Sequence, residues 1–197
     1  MKTIGFFGGS FDPIHLGHIN LAIELFEKKG LDQILFCPAL LSPTKQNMPP
    51  LASPEHRMNM LHISLQDLPF CKPYGRELER PPPSYTIDTI REMRGDKIFL
   101  ILAEDVAYEL DRWKDIEELL ELSSPLVGTR FGFDIKKINR LPQNIKLKLQ
   151  KGLCHISAMD INSTTIRERL KKKMYCSHLL QEKVLDYIYK NELYCAI

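Results

Sequence analysis

The chain has 197 residues, 44% hydrophobic and 26% charged, enough to bury a sizeable core and in keeping with a single domain of about 150–200 residues. Its 27 basic and 25 acidic residues leave a formal charge of +2, which excludes a polycation that binds nucleic acid or a membrane surface through bulk charge. The apolar N-terminal stretch is interrupted by Gly8-Gly9-Ser10 and Asp12, and no later run approaches a membrane span, so neither a signal peptide nor a membrane anchor is expected.

In chain order, Thr3–Phe7 reads as a buried strand and is followed by a glycine loop, GGSFDPIH. Ile19–Lys29 places Leu21, Ile23, Leu25 and Phe26 on a helix that Gly30 ends through a left-handed cap. Gln33–Cys37 is the next strand, and a Pro-rich loop runs from Pro38 to Leu51. Ser53-Pro54-Glu55 supplies an N-cap and a proline at the first helical position, opening a helix to about Asp67. Ser84-Tyr85-Thr86 leads a helix ending at Gly95, and Lys97–Leu102 (KIFLIL) is the clearest buried strand. Asp111–Leu122 is amphipathic, Leu126–Thr129 is short and apolar, and Ile156–Ile161 is the last expected strand. Ser163–Lys173 and Gln181–Lys190 close the chain as helices.

Strands alternating with helices predict an α/β fold, a Rossmann-like parallel sheet covered by helices on both faces with a helical C-terminal end, forming one domain over residues 1–197. The five cysteines, Cys37, Cys71, Cys154, Cys176 and Cys195, are odd in number, scattered and without a CxxC pair, so reduced thiols in the cytoplasm and no metal site are expected.

In such folds, ligands bind beyond the carboxyl ends of the strands. GGSFDPIHLGH occupies that place after the first strand, and it is neither a Walker A loop nor a GxGxxG fingerprint. Its glycines permit close backbone approach to a ligand, and the helix beginning near Gly17 offers unpaired N–H groups to an anion. His15 and His18, near that start, are suited to donating to phosphate oxygens.

GSFDPIHLGH resembles the GxFDPxHxGH signature of the nucleotidyltransferase superfamily, and Asn162-Ser163-Thr164-Thr165-Ile166-Arg167 is similar to its C-terminal ISSTxIR partner. Pro43-Thr44-Lys45, Ser84-Tyr85-Thr86-Ile87-Asp88-Thr89, Asp111-Arg112-Trp113 and the terminal EKVLDYIYKNELY are similar to segments of the bacterial nicotinate-nucleotide adenylyltransferases. Four places depart from that pattern. Ala103-Glu104-Asp105 stands for Gly-Ala-Asp, Asn162 for serine, Thr44 for histidine, and Pro81-Pro82-Pro83 for a glycine-containing approach to SYT.

The resemblance implies adenylyl transfer from ATP to nicotinate mononucleotide with release of pyrophosphate, Mg²⁺ accompanying ATP. It implies catalytic roles for His15, His18, Lys45 and Arg167. It also implies ATP contacts from Gly8, Gly9, Ser10, Phe11, Asp105, Arg130, Ser163 and Thr164, and mononucleotide contacts from Lys45, Tyr85, Thr86 and Trp113. No nucleic-acid or membrane partner is implied, and a homo-oligomer is left open. The rival readings are a transferase of the same fold acting on phosphopantetheine or a lipid head group, and a non-catalytic nucleotide- or RNA-binding module.

Overall fold

The structure is a computed structural model that describes residues 1–45, 47–93, 95–129 and 134–195. The strands are β1 (Thr3–Gly9), β2 (Gln33–Pro38), β3 (Cys71–Pro73), β4 (Lys97–Ala103), β5 (Ser123–Thr129) and β6 (Leu153–His155). Between and after them come helices α1 (Leu16–Lys29), α2 (Pro54–Leu65), α3 (Thr86–Ile90), α4 (Glu104–Ala107), α5 (Ile116–Leu122), α6 (Gln143–Lys151), α7 (Ser163–Lys171) and α8 (Glu182–Lys190). The strands form one sheet in the order β3-β2-β1-β4-β5-β6, and the β1–β4, β4–β5 and β5–β6 pairs run parallel. This is the doubly wound order, which reverses direction between β1 and β4. By the general rule for open α/β sheets, the ligand crevice lies beyond the carboxyl ends of those two strands.

The chain divides into two compact units. One holds Met1–Gly8, Leu21–Leu35 and Tyr85–Ala158; the other holds Gly9–Asn20, Phe36–Ser84 and Met159–Ile197. In the first, Ile98, Phe99, Leu100, Ile101 and Leu102 of β4 are all buried, the continuous apolar run of a strand covered on both faces. Each such side chain contributes about 1.5–3 kcal/mol by leaving water. In the second, α2 packs on β3 and α8. The Tyr187 hydroxyl of α8 lies 2.9 Å from His56 Nδ1 and accepts from Asn59 Nδ2 at 3.0 Å.

Local signals act as expected at several boundaries. Gly30 has φ of 62° and ends α1, while the Ser53 hydroxyl accepts from His56 N–H at 3.2 Å and caps α2. Three expected elements differ. The helix opened by Ser84-Tyr85-Thr86 ends at Ile90, because Glu92 and Met93 bond to the third residue back (Thr89 and Ile90) and so tighten the turn. The Asp111–Leu122 segment is split: Trp113 is extended (ψ 141°) and Asp115 is left-handed (φ 47°), so α5 starts only at Ile116. Residues 156–161 are not a strand. Ile156 N–H makes a last bond to Thr129 C=O, and then Ser157 N–H turns to the Glu24 carboxylate at 2.7 Å, leaving β6 one segment earlier. Among the described residues, no helix is long and apolar enough to cross a membrane.

Candidate functional site

The glycine loop leaves β1 at Gly9, whose carbonyl accepts from Ala39 N–H at 2.9 Å. It then turns at Phe11, which holds the left-handed φ of 47° that non-glycine residues seldom adopt. Burial keeps Phe11 there: it is 1% exposed, with its ring centroid 5.5 Å from Phe36 and edge-on to His18 at 5.1 Å.

His15 and His18 stack with centroids 3.6 Å apart and planes 21° from parallel. Each ring accepts, at Nδ1, the backbone N–H of the other residue, both at 3.3 Å. His18 N–H also donates to the His15 carbonyl at 2.9 Å, and with backbone N–H groups facing each Nδ1, Nε2 is the ring nitrogen left to donate to a ligand. The start of α1 and the residue before it therefore hold two imidazoles beside the helix's own amides.

Asp12 is the junction of the second unit and is only 3% exposed. Its Oδ1 accepts from Ala52 N–H at 3.0 Å and from the Tyr194 hydroxyl at 2.7 Å, and its Oδ2 accepts from Leu51 N–H at 2.8 Å. Arg167 Nη1 donates to the Asp12 carbonyl at 2.7 Å and stands 3.8 Å from Oδ2, while its Nη2 donates to Thr164 Oγ1 at 3.2 Å. The start of α7 is tied to the same loop, since Ser163 Oγ donates to Pro13 C=O at 2.9 Å. Asn162 replaces serine without losing the cap: its Oδ1 accepts from Thr165 N–H at 2.9 Å.

Arg57 supports the loop from beneath. It is 1% exposed, and its Nη1 donates to Ser10 C=O and Ala39 C=O, both at 2.8 Å. Burial holds the Arg57 guanidinium below its ordinary range, with Asp12 and Tyr194 acting in the opposite direction. The Tyr194 phenol is pushed well up, first by burial and then by the Asp12 carboxylate, so it stays a donor at neutral pH.

The second unit thus brings Gly9, Ser10, Phe11, His15, His18, Ser163, Thr164 and Arg167 around one loop. Lys45 ends a 3-10 turn, Pro43–Lys45, in the same unit, and Arg130 lies outside the described residues. Gly8, Tyr85, Thr86, Asp105 and Trp113 belong to the first unit. There, Thr86 Oγ1 stands 3.9 Å from where a Cβ on Gly8 would lie, Asp105 is exposed at the start of α4, and Trp113 is half-buried. Lys114 Nζ sits 4.5 Å over the Tyr85 ring and pairs with Asp88 at 3.2 Å. Arg91 joins this group, pairing with Asp88 at 3.1 Å, Asp115 at 2.9 Å and Glu118 at 2.5 Å. Sequence reasoning named no role for Asp12, Arg57 or Tyr194. Asp12 lay within the recognised loop motif and Tyr194 ends the recognised terminal segment EKVLDYIYKNELY, both without a role attached, while Arg57 carried no local signal.

Nε2–H imidazoles, a guanidinium and a capped helix N-terminus around one loop suit an anion with several oxygens, and the sheet order is that of nucleotide-handling α/β proteins. Comparison with known proteins agrees. Residues 6–169 match the family model described as cytidylyltransferase-like. The chain is 36% identical over 198 residues to a nicotinate-nucleotide adenylyltransferase of Bacillus subtilis, covering 98% of this chain and 99% of that one. It is 35% identical over 197 residues to a probable nicotinate-nucleotide adenylyltransferase of Carboxydothermus hydrogenoformans, with 97% of each covered. In fold it matches the Plasmodium falciparum nicotinic acid mononucleotide adenylyltransferase complexed with NaAD, with a TM-score of 0.75 at 23% identity over 98% of both chains. The chain belongs to the nicotinate-nucleotide adenylyltransferase family, within the cytidylyltransferase-like class.

Proposed function

We propose that this protein joins nicotinate mononucleotide to the AMP part of ATP, giving nicotinate adenine dinucleotide and pyrophosphate, a late step of NAD biosynthesis in the cytoplasm, with residues 1–197 acting as one nucleotidyltransferase domain. The observation that carries the reading is the stacked His15–His18 pair, each Nδ1 facing the other's backbone N–H, in the loop that also holds Arg167. The mononucleotide phosphate, ionised at neutral pH, attacks the α-phosphorus, and the bond to the bridging α–β oxygen breaks as pyrophosphate leaves. The nucleophile needs no activation by the protein. Catalysis consists of alignment and of stabilising charge as it moves onto the leaving group.

On this reading His15 and His18 donate to ATP phosphates, and Lys45 adds a point charge. Arg167 grips the departing pyrophosphate beside the Ser163 and Thr164 hydroxyls and the amides at the start of α7. Gly8, Gly9, Ser10 and Phe11 let the backbone approach the nucleotide, with Asp105 and Arg130 as further ATP contacts. Trp113 stacks on the pyridine ring, and Tyr85 with the backbone around Thr86 meets its carboxylate.

Among the described residues, no group of three or more His, Cys, Asp or Glu side chains is placed to hold a metal ion. The donors gathered around the loop suit phosphate oxygens, which fits Mg²⁺ that travels with the nucleotide on phosphate and water ligands. When bound, it neutralises charge on the phosphates.

The decisive test is pyrophosphate release with ATP and a panel of acceptors. A carboxylate only accepts hydrogen bonds, whereas an amide must also donate, so amide-facing donors would be left unpaired. Nicotinate mononucleotide is therefore expected to exceed nicotinamide mononucleotide in kcat/KM by at least about tenfold, roughly 1.4 kcal/mol. No release with either mononucleotide would overturn the reading, and equal efficiencies would overturn the ring-pocket assignment.

A further inference from the structure

We infer that Tyr194 is a positioning residue for nucleotide binding: its hydroxyl, acting through Asp12, sets where the Arg167 guanidinium stands. The inference rests on the phosphate role given to Arg167 above.

Asp12 Oδ1 accepts at 2.7 Å from Tyr194 and at 3.0 Å from Ala52 N–H, and Oδ2 accepts at 2.8 Å from Leu51 N–H. These three donors orient the carboxylate and supply most of the hydrogen bonds that a buried anion requires. The nearest cation, Arg167 Nη1, is bonded instead to the Asp12 carbonyl at 2.7 Å and remains 3.8 Å from Oδ2. That longer distance leaves the guanidinium partly exposed rather than drawn into a close pair. Without the phenol hydroxyl, Oδ1 loses its shortest donor, and the under-provided carboxylate draws Nη1 to charge-assisted bonding distance, about 2.8 Å. The guanidinium then turns onto Asp12 and away from a ligand phosphate.

Tyr194 reaches Asp12 because the chain reverses after α8. Leu193 N–H bonds back to Ile188 C=O, and both Glu192 (φ 52°) and Tyr194 (φ 61°) are left-handed.

The test is a double-mutant cycle of Tyr194→Phe and Arg167→Ala in the full chain, read as the Kd for ATP by calorimetry, with pyrophosphate release from ATP and nicotinate mononucleotide measured alongside. Tyr194→Phe keeps the ring and is expected to weaken ATP about tenfold while shifting the KM for the mononucleotide less than about twofold. In the Arg167→Ala background the same substitution is expected to change the ATP Kd by less than about twofold, because its route is already cut. An equal factor in both backgrounds, or a lowered Tm with unchanged ATP affinity, would overturn the inference. Absence of ATP binding by the unmutated protein would overturn both readings. The expected cycle without pyrophosphate release would support this inference and sink only the proposed reaction.

Discussion

His15 and His18 each face the other's amide, and Gly17, one of the two residues between them, leaves room for that. A Cβ added at Gly17 would lie 3.1 Å from His15 Nδ1, 3.2 Å from its Cε1 and 3.4 Å from Ile161 Cβ. Gly17→Ala must therefore displace the imidazole, and we expect kcat to fall by about tenfold or more while Tm changes by only a few degrees. His18→Ala removes the donor itself and should cost about 10²–10³ in kcat with the far-UV spectrum intact. The two arginines of α7 offer a sharper contrast. Arg167→Ala should weaken ATP, whereas Arg169, whose Nε and Nη2 donate to Tyr175 C=O at 3.2 and 2.7 Å, should affect stability and leave the KM for ATP unchanged. Similar losses of ATP affinity at both positions would point to a diffuse basic surface. The histidines and Arg167 were legible because their spacing within short motifs survives in any fold. Tyr194 was not, since its place depends on two left-handed turns at residues that do not favour them.

At the scale of elements, caps and long apolar runs were readable and geometry at short breaks was not. Ser53 and Asn162 announce α2 and α7 through side-chain oxygens, and Asn162→Ala should cost about 1 kcal/mol by losing the bond from Thr165 N–H. By contrast, α6 carries just two buried residues, Ile145 and Leu149, and β3 spans only Cys71–Pro73, so neither leaves a clear period in the sequence. The end of β6 is decided at a distance. Glu24 Oε1 accepts from Ser157 N–H at 2.7 Å, and its Oε2 pairs at 2.9 Å with Lys28, whose Nζ also donates to His155 C=O at 2.6 Å. The Lys28 hydrogen bond first, helped by Ser157 and opposed by burial, lowers the Glu24 pKa from 4.5 to about 2. Because the folded value lies below the unfolded one, this stabilisation is complete above pH 4.5 and is lost as pH falls from there toward 2. After solvent screening it amounts to about 1 kcal/mol. Denaturant midpoints of the protein and of Glu24→Gln should differ at pH 7 and converge near pH 2.

For the whole molecule, alternating apolar and amphipathic segments were enough to give an α/β sheet, whose order reverses between β1, the strand before the first loop, and β4. The division into two units could not be read along the chain, because each is assembled from three separated stretches. That division makes a kinetic expectation. Trp113→Ala, in the first unit, should raise the KM for nicotinate mononucleotide several-fold, as a lost stacking surface requires, and leave that for ATP within about twofold. Arg167→Ala, in the second, should do the reverse. Initial rates at varied concentrations of each substrate separate the two, and a shared pattern would mean that the roles given to Trp113 and Arg167 are wrong.

The reciprocal amides on the imidazoles have a spectroscopic consequence. In a long-range proton–nitrogen correlation, His15 and His18 should each show one nitrogen at the bare, pyridine-like position, assigned to Nδ1, and one at the protonated, pyrrole-like position, assigned to Nε2. Titrating ATP should shift the two Nε2 resonances while the Nδ1 resonances hold, so the chemistry of the loop can be watched without turnover.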